Sequence, residues 1–178
     1  MSASFNIQTP DSFTAGTVGP PGQRTFFVQV VDGVATVTLK LEKTQVAALA
    51  QYVAELLADL PPVDDSDVPI GLELADPVVA EWTVGTIGVA VDDTNDRLVI
   101  SFQELLPQDL EPSEEEEEER LPDPDAGVAT FLITRPQALG FVRRAAELVS
   151  SGRPPCPLCG RPLDPTGHVC IKTNGHLH

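Results

Sequence analysis

The residues best suited to chemistry lie near the C-terminus. In Cys156-Pro157-Leu158-Cys159-Gly160 two thiols stand three positions apart, so both can face one ion, and the glycine permits a tight turn behind them. His168 and Cys170 follow, and then His176 and His178. Soft thiolates and imidazole at this spacing favour tetrahedral zinc, whose structural form is a closed four-ligand shell. The expected cofactor is Zn2+, with Cys156, Cys159, Cys170 and His168 as ligands. His168 is preferred because an extended Gly167-His168-Val169-Cys170 segment points both ligands to one side. His176 would close a wider loop from a terminus that tends to fray, and it remains the competitor.

Three rival readings of these residues are weaker. A thioredoxin-like pair places its CxxC between a strand and a helix start, whereas Pro- and Gly-rich turns surround this one. A catalytic zinc keeps one position open for water and needs an acid or base nearby. The nearest carboxylate is Asp164, but in Asp164-Pro165 it reads more simply as a turn former. A buried cluster of plain thiols does not suit so polar a segment.

The whole chain restricts the function further. It has 178 residues, 27 acidic against 11 basic, for a formal charge of −16. Phosphate surfaces repel such a chain at long range, which argues against nucleic acid and anionic membranes as partners. At 42% hydrophobic the composition is globular, and no apolar run approaches the roughly 18 residues of a membrane span. The first residues, Met1-Ser2-Ala3-Ser4-Phe5-Asn6, carry neither the basic stretch nor the apolar core of a secretory signal. Three cysteines, all between 156 and 170, suit a metal site in a reducing compartment better than a disulfide framework. The expected location is cytoplasmic.

Charge is unevenly placed. Between Asp109 and Asp125 stand ten acidic residues, including the unbroken run Glu114 to Glu119, with Arg120 the only base. Adjacent carboxylates repel and bury no apolar surface, so an acidic loop over 107–125 is expected to be a mobile, solubilising insertion. Pro61-Pro62-Val63-Asp64-Asp65-Ser66-Asp67-Val68-Pro69 reads as a linker.

The elements that must position the tail come in two sets. Phe13-Thr14-Ala15-Gly16-Thr17-Val18-Gly19 resembles Trp82-Thr83-Val84-Gly85-Thr86-Ile87-Gly88. Gly33-Val34-Ala35-Thr36 recurs as Gly127-Val128-Ala129-Thr130, and Leu41-Glu42-Lys43-Thr44-Gln45 lines up with Ile133-Thr134-Arg135-Pro136-Gln137. Ala54-Glu55-Leu56-Leu57 matches Ala146-Glu147-Leu148-Val149. Matches that keep one order point to an ancient duplication.

Periodicity supplies the content of each copy. Residues 26–31 and 34–41 are rich in Val, Phe, Thr and Leu around Asp32-Gly33, a hairpin signal. Apolar residues at 46, 49, 50, 53, 56, 57 and 60 make one helical face, and Ala138, Phe141, Val142, Ala145, Leu148 and Val149 make another. Pro136 suits a helix's first turn, and Gly152 before Pro154-Pro155 stops the helix. Strands at about 82–91 and 97–103 flank Asp92-Asp93-Thr94-Asn95. The expected fold is α+β: duplicated strand-rich units, each ending in a helix packed on antiparallel sheet, plus a small C-terminal zinc-ribbon-like knuckle. Repeat one covers about 5–60 and repeat two about 72–152, together forming a domain over 1–152, with a zinc-binding tail at 153–178.

Several of these features together resemble a known family. They are Ala15-Gly16-Thr17-Val18-Gly19 with Gly22-Gln23-Arg24-Thr25-Phe26-Phe27, the glutamate-rich middle, and the tail from Gly152-Arg153-Pro154-Pro155-Cys156 through Gly167-His168-Val169-Cys170 to Asn174-Gly175. The chain is similar, over nearly its full length, to the mainly actinobacterial conserved repeat proteins called domain of unknown function 3090. That family has no established activity, so the resemblance implies an architecture rather than a reaction. Its members carry Pro-Arg after the last cysteine and an aromatic after Asn-Gly, where this chain has Ile171-Lys172 and His176. The departure favours His168 over His176 as the ligand.

The remaining sequence offers little catalysis. All three histidines lie in the tail, and there is no Walker loop and no GxGxxG. Gly19-Pro20-Pro21-Gly22 lacks the backbone donors of a phosphate loop, because its prolines carry no N–H. Gln23, Arg24 and Thr25 could form a small polar site, although a hairpin entry is the simpler role. Trp82 reads as a core anchor. The expected function is a non-enzymatic binding or regulatory module with a structural zinc and a protein partner. The alternative is a zinc-dependent hydrolase with its metal in a cleft between tail and body.

Overall fold

A computed structural model describes residues 2–110, 125–152 and 155–160. The expected acidic loop therefore lies mostly outside the described residues, as do His168, Cys170, His176, His178 and Asp164.

The fold is α+β, with two sheets and two helices. In chain order the strands are β1 (Phe5–Ile7), β2 (Ser12–Val18), β3 (Thr25–Asp32) and β4 (Ala35–Leu41), followed by helix α1 (Lys43–Ala58). Then come β5 (Val84–Asp92), β6 (Arg97–Glu104), β7 (Val128–Thr134) and helix α2 (Arg135–Ser150). One sheet has the order β2-β3-β4 and the other β1-β7-β6-β5. All neighbours are antiparallel except β1, which runs parallel to β7. A single parallel bridge between Lys40 and Thr83 joins the sheets. It is flanked by Lys40 N–H donating to the Trp82 carbonyl (3.1 Å) and Glu81 N–H to the Thr38 carbonyl (2.8 Å).

Local chemistry explains the turns. The loop between β3 and β4 is Gly33-Val34, one residue later than the Asp32-Gly33 expected, because Asp32 still pairs with Ala35. Gly33 takes φ +58°, which a two-residue hairpin requires at its first position, and the Asp11 carboxylate accepts its N–H at 2.7 Å. Gly19 and Gly22, at φ +106° and +89°, turn the chain between β2 and β3, so Gly19-Pro20-Pro21-Gly22 is a hairpin entry. Both helices begin directly where a strand ends, after Leu41 and after Thr134.

One core serves both sheets. Phe13 of β2 stands edge-on to Phe141 of α2, with ring centroids 5.0 Å apart, and 6.3 Å from Phe131 of β7. Phe131 in turn lies 6.0 Å from Phe102 of β6, and all four rings are fully buried. Helix α2 packs against α1 and against β2, a strand of the other sheet. Trp82 is buried just before β5, where its Nε1 donates to the Ala3 carbonyl (2.9 Å).

The 61–69 segment is more than a linker. Asp65–Asp67 forms a short 3₁₀ turn capped by Asp64, and the chain after it is strapped to the first sheet. The Thr14 hydroxyl donates to Leu72 O (2.7 Å), and the buried Gln29 amide exchanges two bonds with the backbone of Ala75 (2.7 and 3.0 Å). A Cβ on Gly16 would collide with the Leu74 side chain, so the glycine makes room for the strap.

Candidate metal centre and adjoining cleft

The tail leaves the body at the end of α2. Ser151 caps the helix, its N–H donating to Glu147 O (2.9 Å) and its hydroxyl to Leu148 O (3.0 Å). Arg24, at the start of the β2–β3 hairpin's return strand, reaches across with Nη1 to Ser151 O (3.0 Å) and Oγ (2.7 Å). A cation at these carbonyls complements the negative end of the helix. The departure point of the tail is thereby fixed to the first sheet.

Beyond it, Cys156 to Gly160 forms one closed turn. Gly160 adopts φ +73° and its N–H donates to Cys156 O at 2.8 Å. Cys156 is buried, Cys159 is partly exposed, and Leu158 between them is half exposed. The turn thus carries two of the four expected ligands on one short loop, and Gly160 supplies the left-handed residue the sequence requires there. His168 and Cys170, like the rival His176, fall outside the described residues. Among the described residues no group of three His, Cys, Asp or Glu side chains is placed to hold a metal. The donor chemistry at Cys156 and Cys159 nevertheless fits one half of a tetrahedral thiolate site.

Next to the tail's departure point lies a cleft of about 730 Å³, between the start of β3, the end of β4, the first turn of α1 and the last turn of α2. Arg24, Lys40, Glu42 and Lys43 supply its charged lining, over an apolar floor that includes the buried Phe26 and Leu148. An ideal Cβ on Gly152 would lie 3.4 Å from Lys43 Nζ, so the lysine reaches from α1 to the end of α2.

The carboxylates whose proton affinity is shifted are not catalytic candidates. The carboxyl of Asp64 is held below its ordinary value by the Ser66 N–H and hydroxyl, and that of Asp92 by the Asn95 side chain and N–H. Both are exposed acids locked into their own turns, a structural use of Asp at loop starts.

Two glutamines that sequence reasoning passed over tie the sheets together. Gln45 and Gln137 each occupy the third position of a helix, and each accepts the N–H of the residue that caps that helix at 2.9 Å. Each then donates its amide across the molecule. Gln45 Nε2 reaches Val84 O (3.1 Å) at the start of β5, and Gln137 Nε2 reaches Pro10 O (2.8 Å) just before β2. Their shared place in the aligned segments was the available signal.

Comparison with known proteins gives one match: the family model described as Protein of unknown function (DUF3090) covers residues 5–170. No curated protein and no solved structure matches the chain. No helix among the described residues is long and apolar enough to cross a membrane.

Proposed function

The chain belongs to the DUF3090 family, and from that premise we propose that it is a cytoplasmic, non-enzymatic binding module: a duplicated β-β-β-α body carrying a structural zinc in its C-terminal tail. The observation that carries the zinc is the Cys156–Cys159 turn closed by left-handed Gly160. Cys170 and His168 would complete the shell. A tail of about 25 residues, rich in Pro and Gly, has too little apolar surface to order itself by burial. Ligation would supply the missing free energy, on the order of 10 kcal/mol in comparable zinc peptides.

Duplication is supported by the reciprocal glutamines. Gln45 and Gln137 are aligned by sequence and cap their helices alike, and each donates to backbone of the other half, Gln45 to Val84 O in β5 and Gln137 to Pro10 O before β2. A single ancestral β-β-β-α unit that paired with a second copy of itself accounts for both contacts at once. The protein partner of the module is sought among surfaces that tolerate a chain of net charge −16.

Metal analysis of the purified protein tests the site. One zinc per chain is expected, lost sharply in His168→Ala and kept in His176→Ala; the reverse transfers the ligand to His176. Chelation should disorder the tail and leave Trp82 fluorescence unchanged, since Trp82 belongs to the core of the body. The hydrolase alternative draws on the cleft beside Gly152. Zinc-dependent hydrolysis of simple esters or phosphates, abolished by Asp164→Asn, would replace the structural reading with it.

A further inference from the structure

We propose that the cleft between α1 and the end of α2 is a binding site for a small organic oxyanion, a phosphate monoester or carboxylate with a compact apolar body, held by Arg24, Lys40 and Lys43.

The chain is strongly acidic, yet these three cations share one cleft, and among the described residues of its lining Glu42 is the only carboxylate. Among the described residues the bases used in ion pairs are elsewhere: Arg135 with Asp96, Arg143 with Asp65, and Arg144 with Glu147. Arg24, Lys40 and Lys43 take part in no ion pair among the described residues. Like charges gathered in a cleft with low-dielectric walls raise each other's energy, and they focus a positive potential that a bound anion relieves. The cavity, about 730 Å³, is of the size that holds a small molecule rather than a bare ion.

Geometry adds preorganisation. Arg24 is fixed through Nη1 to Ser151, and a guanidinium has further donors in the same plane for a second acceptor. Lys43 arrives at the same place from α1, beside Gly152. Gly152 has no positive φ to demand glycine; a Cβ there would lie 3.4 Å from Lys43 Nζ, so the missing side chain lets the lysine come close to the end of α2. The floor of Phe26 and Leu148 suits a ring or short chain next to the charged group.

The equivalent place in the other half shows what an occupied version looks like. The residue aligned with Lys43 is Arg135, at the start of α2. Its guanidinium donates to the Asp96 carboxylate (2.9 and 3.2 Å) and to Pro61 O, so the chain's own groups neutralise it. Lys43 forms no such ion pair with a described residue, although the Glu42 carboxylate lines the same cleft.

This inference deepens the binding-module reading and rests on it only in asking no covalent chemistry of the cleft. The test uses the full zinc-loaded chain and titration calorimetry with phenyl phosphate, benzoate, inorganic phosphate and neutral benzyl alcohol, in low and high salt. Saturable binding of phenyl phosphate or benzoate, weakened by salt, is expected, with inorganic phosphate weaker and benzyl alcohol silent. Preference between the first two identifies the oxyanion. Lys40→Ala/Lys43→Ala should weaken binding by about tenfold or more while retaining one zinc, which separates this result from any failure of the metal reading. Both lysines are exposed, so the fold should persist, checked by Trp82 fluorescence. No binding of either aromatic anion at millimolar concentration, or equal binding by the double variant or by benzyl alcohol, overturns the proposal.

Discussion

Replacing Gln137 by alanine should cost this protein more than any other single loss of a polar side chain on its helices. The Gln137 side chain is nearly buried, accepts the Thr134 N–H at 2.9 Å and donates to Pro10 O at 2.8 Å. Thr134 answers by accepting the Gln137 N–H at 3.1 Å, so the pair forms a capping box that alanine would break. Each lost hydrogen bond is worth about 1 kcal/mol net, and stranding the carbonyl of the buried Pro10 adds a desolvation penalty of about 1 kcal/mol or more. The sum is about 3 kcal/mol, equivalent to a fall in Tm of about 6–12 °C for a chain of this size. Urea unfolding followed by Trp82 fluorescence, checked against far-ultraviolet circular dichroism, measures it directly. Gln137→Met keeps most of the side-chain volume and should lose nearly as much, because the loss lies in the amide. Gln45→Ala should cost about half as much, since Gln45 is only partly buried and its far acceptors lie at 3.1 and 3.2 Å. A cost below about 1 kcal/mol for Gln137→Ala, or a larger one for Gln45→Ala, would refute the role assigned to these amides.

Phe13→Ala should destabilise by about 3–5 kcal/mol, because the ring fills space between β7 and α2 of the other half; a loss under about 1.5 kcal/mol in the same urea assay would mean that the two halves scarcely depend on each other. Replacing residues 112–124 with a short Gly-Ser linker should shift Tm by no more than a few degrees, since the replaced run is mostly carboxylates and has few apolar side chains to lose. A large drop by calorimetry would show that this segment packs or binds an ion.

The fold class could be read from the sequence because its signals are local. Alternating Val, Phe and Thr residues around a Gly-containing turn define β3 and β4, and the face from Val46 to Val53 defines α1. What escaped was set by distant partners. Pro61 to Pro69 has the composition of a linker, and nothing local reveals that Leu74 will lie on Gly16 or that Ala75 will pair with Gln29. Gln45 and Gln137 look like ordinary polar residues in a first turn; only their carbonyl partners some 40 and 127 residues away give them meaning. Of the candidate metal centre the described residues include only the Cys156 to Gly160 turn. Its chemistry lies in residue type and short spacing, and the Cys156 to Gly160 turn follows directly from the glycine. The cleft was half visible, since Arg24 was a polar candidate, but Lys40 and Lys43 join it only once β4 runs straight into α1.

The packing also explains where binding can happen at all. Phe13 buries its ring against β7 and α2, while Gln45 holds the start of β5 and Gln137 the backbone just before β2. Both sheets and both helices thus contribute to a single core. What remains accessible is where the halves end, at the junctions of one helix's start with the other helix's finish. At the α2 start, Asp96 and Pro61 O already satisfy the arginine. At the α1 start the corresponding lysine faces a cleft, and the tail with its cysteines departs from the same rim. The two junctions thus differ: Arg135 is satisfied internally, whereas Lys43 at the start of α1 has no ion pair among the described residues. There the remaining electrostatic free energy is available to a ligand rather than to the fold.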